Sequence, residues 1–128
     1  MKLFDLKPDC DLTDMCEWHE ALLWVFAATV RFCRENNLAL VITSLKSDRT
    51  NVQSVSTTHQ DNRAFDIRTR EWDRATIHKL EYFLNTNYSD WGAISKSNGA
   101  PRVAYYHNNH MHIQVRPNAD LSKYLSER

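Results

Sequence analysis

Glycine is nearly missing from this chain: two residues among 128, alongside three prolines. Turns that need a positive φ must therefore rely on asparagine, one of the few residues with a side chain that tolerates the left-handed region. No Gly/Ser linker, internal repeat or low-complexity tract divides the chain, and 128 residues with 42% apolar content suit one core. A single domain over residues 1–128 is expected. Cysteine is scarce as well. Cys10, Cys16 and Cys33 are odd in number and match no disulfide framework, so reduced thiols are expected. An excess of charge is absent, because sixteen basic and sixteen acidic side chains cancel. That balance disfavours nucleic acid or an anionic membrane as the main partner. Long apolar runs are missing too: "ALLWVFAATV" is too short to span a bilayer. "MKLFDLKPDCDLTD" meets charge and Pro8 before an apolar run develops, so synthesis in the cytoplasm without an export signal is expected.

What is present is periodic. Leu22, Val25, Phe26, Val30 and Cys33 recur at three- and four-residue steps among polar positions, which predicts an amphipathic helix over 12–36. Thr13 or Asp11 is its expected cap, and "ENN" its stop. "LALVIT" (38–43) reads as a buried strand, and residues 44–62 as a long polar loop of the kind that usually serves a function. "AFDIR" (64–68) alternates, with Phe65 and Ile67 on one face and Ala64, Asp66 and Arg68 on the other. Asp73 caps a second predicted helix over 73–87 with Ile77, Leu80, Phe83 and Leu84 as its buried stripe. "WGAIS", "RVAYY" and "MHIQV" are strand candidates, and a last helix is expected over 120–125. The pattern predicts an α+β fold, a small antiparallel sheet with helices packed on one face.

The densest chemistry lies in "HNNHMHIQV" (107–115). Residues two apart on a strand share a face, so His110, His112 and Gln114 point one way while Met111, Ile113 and Val115 point into the core. Two histidines cannot complete a zinc site, which takes about four ligands at about 2.0–2.2 Å. The stretch "TTHQDNRAFDIRT" offers His59 and Asp66. Together with one histidine of the His110/His112 pair they would make two imidazoles and one carboxylate with a position left open.

The pattern S-x-H-x-x-G-x-A-x-D followed by H-x-H resembles that of the zinc peptidases of bacterial cell-wall peptides. These are the D-alanyl-D-alanine carboxypeptidases and dipeptidases, and the L-alanyl-D-glutamate endopeptidases of phage endolysins, with a hedgehog-like fold. "TTHQDNRAFD" puts Thr57 at the Ser position and keeps His59, Ala64 and Asp66 in register, and "VITSLKSDRT" is similar to the strand and loop that reads T-S-x-x-R. The resemblance covers residues 38–115. It implies that His59, Asp66 and His112 bind Zn2+ and that His110 handles the catalytic proton. It also implies a peptidoglycan stem peptide as substrate, whose carboxylate relatives grip with an arginine where this chain has Lys46, with Arg49 and Arg63 as nearby substitutes. Thr57 and Tyr105 are further candidate substrate contacts, and a monomer is expected. Three positions depart from the pattern. Asn109 stands where many relatives carry an acidic base, Asn62 replaces a glycine, and Lys46 replaces an arginine.

Two other readings compete. One is a zinc-holding cell-wall or peptide-binding module of the same fold without turnover. The other is a metal-dependent nuclease built on "HNNHMH", which the neutral charge and the strand period after His110 disfavour. His19 and His78 are read as structural, and His107 as a rim residue. Cys10, Cys16 and His19 lack the spacing of a zinc knuckle; Cys16 and Cys33 are expected to pack on the first helix. Trp18, Trp24, Phe26 and Phe32 fit the core, whereas Trp91, Tyr105 and Tyr106 are candidates for a substrate groove.

Overall fold

A computed structural model of the chain describes residues 4–8, 10, 12–45, 63–94 and 101–122. Lys46, Arg49, Thr57, His59 and Asn62, and residues 123–125 of the helix expected at 120–125, lie outside the described residues. In chain order the elements are β1 (Asp5–Leu6), α1 (Glu20–Glu35), β2 (Val41–Ser44), β3 (Ala64–Arg68), α2 (Arg74–Asn87), β4 (Ala93–Ile94), β5 (Pro101–Arg102), β6 (Ala104–His107) and β7 (His110–Gln114). The class is α+β. Five strands form one sheet in the order β1-β2-β3-β7-β6, and β4 pairs with β5 separately.

The sheet is mixed rather than wholly antiparallel. β1 runs parallel to β2, while the β2–β3, β3–β7 and β6–β7 pairs are antiparallel. The cause is the connection: α1 lies between β1 and β2 in the chain, and a helical crossover returns the second strand in the direction of the first.

The first helix is shorter than its hydrophobic period suggested. Leu12–Glu17 winds as a 3-10 segment, and α1 begins at Glu20. Its cap is His19, not Thr13 or Asp11: the His19 Nδ1 accepts from Ala21 N–H at 3.1 Å and its Nε2–H donates to the Pro117 carbonyl at 3.0 Å. One neutral tautomer satisfies both contacts, a structural role for this imidazole. The break leaves Cys16 exposed instead of packed, while Cys33 is buried in α1 and burial pushes its thiol pKa up to about 12. At the other end Asn37 takes φ 55°, as the "ENN" stop requires. Asp73 caps α2 as expected, with its side chain accepting from Thr76 N–H at 2.7 Å.

The core fills the space between the helices and one face of the sheet. Ile42, Phe65, Ile67, Met111 and Ile113 are fully buried, and cross-strand pairs Phe65–Ile113 and Ile67–Met111 place them on the same side. Phe65 stacks on Trp18 at 5.1 Å and meets Phe26 edge-on at 5.4 Å. Each such side chain contributes about 1.5–3 kcal/mol on burial. Asn85 ties α2 to the sheet, its Oδ1 accepting from Val103 and Ala104 N–H at 2.7 and 3.0 Å and its Nδ2 donating to the Ala104 carbonyl. Among the described residues no helix is long and apolar enough to cross a membrane.

Candidate metal centre on the polar face of the sheet

Strand alternation that sends Phe65, Ile67, Met111 and Ile113 into the core leaves Asp66, Arg68, His110, His112 and Gln114 on the opposite face. The register then aligns them. Asp66 of β3 lies opposite His112 of β7, and Tyr105 of β6 lies on the far side of His112. On the other flank Ser44 pairs with Asp66 where β2 slips register, an irregularity of the kind that re-aims strands beside sites. Four strands thus converge on one carboxylate and one imidazole.

His112 is 8% exposed and Asp66 half-buried. The His112 Nδ1 lies 2.9 Å from Asp66 Oδ1, and its Nε2 lies 2.9 Å from Gln114 Oε1. Which end of the Gln114 amide faces the ring follows from its other end, where Nε2 donates to the Arg102 carbonyl at 3.3 Å. The amide oxygen therefore accepts from His112 Nε2–H. In the neutral ring this directs the Nδ1 lone pair at the lone pairs of Asp66, 2.9 Å away, an arrangement that calls for a cation between them, either a proton or a metal ion. Two ligands on a tetrahedral zinc stand roughly 3.3 Å apart, given bonds of about 2.0 Å. A few tenths of an ångström of opening would admit the ion. The donor chemistry of these two residues fits zinc, and the Gln114 contact is the outer support that metal-binding imidazoles usually have. Among the described residues no group of three or more His, Cys, Asp and Glu side chains converges on a metal position. The third expected ligand, His59, lies outside them.

Tyr105 belongs to the same cluster. Its ring centroid is 5.0 Å from that of His112, and burial, with the nearby Asp66 carboxylate, raises its pKa above 10.0. The phenol keeps its proton at neutral pH and can act as a donor.

His110 differs from His112 in every respect except the face. It is exposed, it opens β7, and its Nδ1 sits 2.9 Å from the Asn108 carbonyl. A carbonyl only accepts, so Nδ1 carries the hydrogen and Nε2 is the basic nitrogen. Asn108 and Asn109 form the two-residue link between β6 and β7 with φ 48° and 64°, the double positive-φ geometry of a type I′ hairpin. Asn109, which occupies the position of the acidic base in the resembling enzymes, also accepts from the Tyr106 hydroxyl at 3.2 Å and, through its backbone carbonyl, from Thr69 N–H. In this chain the residue shapes the turn that sets His110.

The other predicted residues separate. Arg63 is 9% exposed and donates to the Val115 carbonyl at 2.9 Å, a strut between the start of β3 and the end of β7. Trp91 is not a groove residue. It is 1% exposed, stacks on Tyr88 and donates its indole N–H to the Asp120 carbonyl. Tyr106 pairs with Met111 on the helix side of the sheet, under the Arg74 guanidinium, and so lines the wrong face. His78 is 3.6 Å from Glu81 on α2, and His107 pairs with His110 at the rim. A groove of about 1160 Å³ between α1 and α2, lined by Leu23, Trp24, Phe32, Tyr82 and Phe83 among others, contains none of the cluster.

Gln114 was visible in sequence only as a residue sharing a face with the two histidines. Its role as the orienting acceptor follows from the period of two in H-x-H-x-Q combined with a strand end that supplies the Arg102 carbonyl. Comparison with family models, with curated proteins and with solved structures finds no match to this chain.

Proposed function

We propose that the chain is a zinc peptidase that hydrolyses an amide bond of peptidoglycan stem peptides, either L-Ala-D-Glu or D-Ala-D-Ala, in the manner of a phage endolysin. The reading is supported by the H-x6-D and H-x-H patterns and, above all, by the Asp66–His112 pair facing across 2.9 Å with Gln114 holding the other ring nitrogen. His112, Asp66 and His59 would hold the ion. Zinc, when bound, polarises a scissile carbonyl and lowers the pKa of water from 15.7 toward about 7.

The rest of the chemistry belongs to side chains. His110 presents Nε2 on the same face, takes the proton of the attacking water, and returns it to the amine that leaves. Its Nδ1–H bond to the Asn108 carbonyl stabilises the charge that the ring then carries. The Tyr105 phenol, protonated at neutral pH, can donate to the carbonyl oxygen as charge grows on it.

A second reading, a zinc-holding module without turnover, draws on Asn109, a turn residue where the resembling enzymes use an acid. One pair of measurements separates the two. Elemental analysis of purified protein should give about one zinc per chain, and digestion of muropeptides followed by mass spectrometry should release new amino termini. Zinc without cleavage across the panel would favour the module, and a chain that takes up no zinc would refute both.

A further inference from the structure

Arg68 closes β3 and shares the polar face with Asp66, two residues before it. In the register it lies opposite His110, which lies opposite His107. It therefore belongs to the row of the sheet next to the Asp66–His112–Tyr105 row, about 7 Å along the strand. Three arginines have evident partners, since Arg63 bonds the Val115 carbonyl, Arg31 lies 3.6 Å from Glu35, and Arg74 covers Tyr106; Arg34, Arg70 and Arg116 are exposed to water, and Arg102, half-buried, lies on β5 outside the five-stranded sheet. Arg68 is half-buried, and among the described residues its side chain makes no hydrogen bond, ion pair or ring contact. A guanidinium with five donors and a permanent charge, partly removed from water beside a proposed proton-transfer residue, is suited to an anionic ligand.

Resting on the peptidase reading above, we infer that Arg68 binds a substrate carboxylate on the residue that follows the scissile bond. Both candidate bonds supply one: the terminal carboxylate of D-Ala, or the α-carboxylate of D-Glu linked through its side chain. The planar fork of Arg68 matches a carboxylate with two parallel N–H donors, and a strand holds that fork more rigidly than a loop does. The lysine at position 46 cannot supply this geometry.

The test uses a stem pentapeptide containing L-Ala-D-Glu and ending in D-Ala-D-Ala, made as the free acid, as the C-terminal carboxamide, and as the D-Glu α-carboxamide. Cleavage is followed by mass spectrometry, and binding by calorimetry on the zinc-loaded His110→Ala protein. Wild type should favour the acid over one of the two amides by about 10- to 100-fold, the usual range for a hydrogen bond to a charged group. Which amidation weakens the substrate identifies the carboxylate. Arg68→Ala should lose only on the acid, mainly through KM, so that acid and amide become equal, and Arg68→Lys should recover part of the preference. An acid preference that survives in Arg68→Ala, an equal loss on acid and amide, or no acid preference in either assay overturns the inference. If no peptide is cleaved but binding shows an acid preference that depends on Arg68, the catalytic reading falls and the carboxylate site stands.

Discussion

The two faces of the five-stranded sheet come from the same strands but are held by different physics. Toward the helices, Phe65, Ile67, Met111 and Ile113 are fully buried in the core, where Phe65 packs against Trp18 and Phe26. Packing is non-directional, so side chains of similar volume can substitute there with modest loss. On the other face Asp66, His112 and Gln114 form a chain of contacts at 2.9 Å in which the Gln114 oxygen accepts from one ring nitrogen and the Asp66 carboxylate faces the other, so direction matters as well as distance. Shape is not enough on that side. A slip of one residue in β7 would exchange the two faces, so the burial of Met111 and Ile113 also aims the imidazole of His112.

The comparison breaks most visibly at His112 and His110, neighbours on one face with opposite burial. His112→Ala should remove nearly all bound zinc and reduce cleavage to background, whereas His110→Ala should retain zinc and lose about 10²- to 10⁴-fold in rate, the range of general-base catalysis. Elemental analysis beside the rate assay checks both, and equal zinc loss in the two variants would refute the division of labour.

A change on the apolar face should do the reverse. Phe65→Ala removes a fully buried ring that touches Trp18 and Phe26, and should cost about 3–5 kcal/mol by urea denaturation. Zinc affinity of the fraction still folded should stay near wild type. Gln114→Leu keeps volume and removes the acceptor at His112 Nε2, so metal affinity should fall about 10- to 100-fold with the fold intact, and Gln114→Glu should retain it. Equal affinities in wild type and the Leu variant would mean that the ring needs no such support.

The smallest effect concerns Cys33 on the core side. Its pKa rises from 9.0 to about 12 because burial disfavours the thiolate, so the stabilisation is complete below pH 9 and is lost as pH climbs toward 12. Tyr105, raised for a related reason, adds loss in the same direction above pH 10.0. Urea midpoints measured across that window should decline in wild type and decline less in Cys33→Ala. At pH 8 a thiol reagent should label exposed Cys16 at least about 100-fold faster than Cys33.

Local patterns carried much of this structure. The alternation in "AFDIR" gave both the bounds of β3 and its two faces, because a period of two is a property of the strand alone. Asp73 and the α2 stripe were legible for the same reason, although Phe83 is only partly buried. The first helix was misread because apolar spacing continues through the 3-10 segment and gives no sign that His19 finds the Pro117 carbonyl 98 positions away. Asn109 looked like a missing base until the hairpin showed a positive φ at that position.

By itself the sequence determined which side chains share a face: His110 with His112 and Gln114 on one strand, Asp66 with Arg68 on another. Period and residue type are local, and no distant contact is needed to read them. Only the tertiary structure decided that Asp66 meets His112, that Gln114 takes the remaining ring nitrogen, and that Arg68 stands beside His110. The Asp66–His112 and Arg68–His110 pairings depend on strand register across gaps of more than forty residues, which core packing and a two-residue turn set jointly, and the orientation of Gln114 depends on the Arg102 carbonyl of another strand.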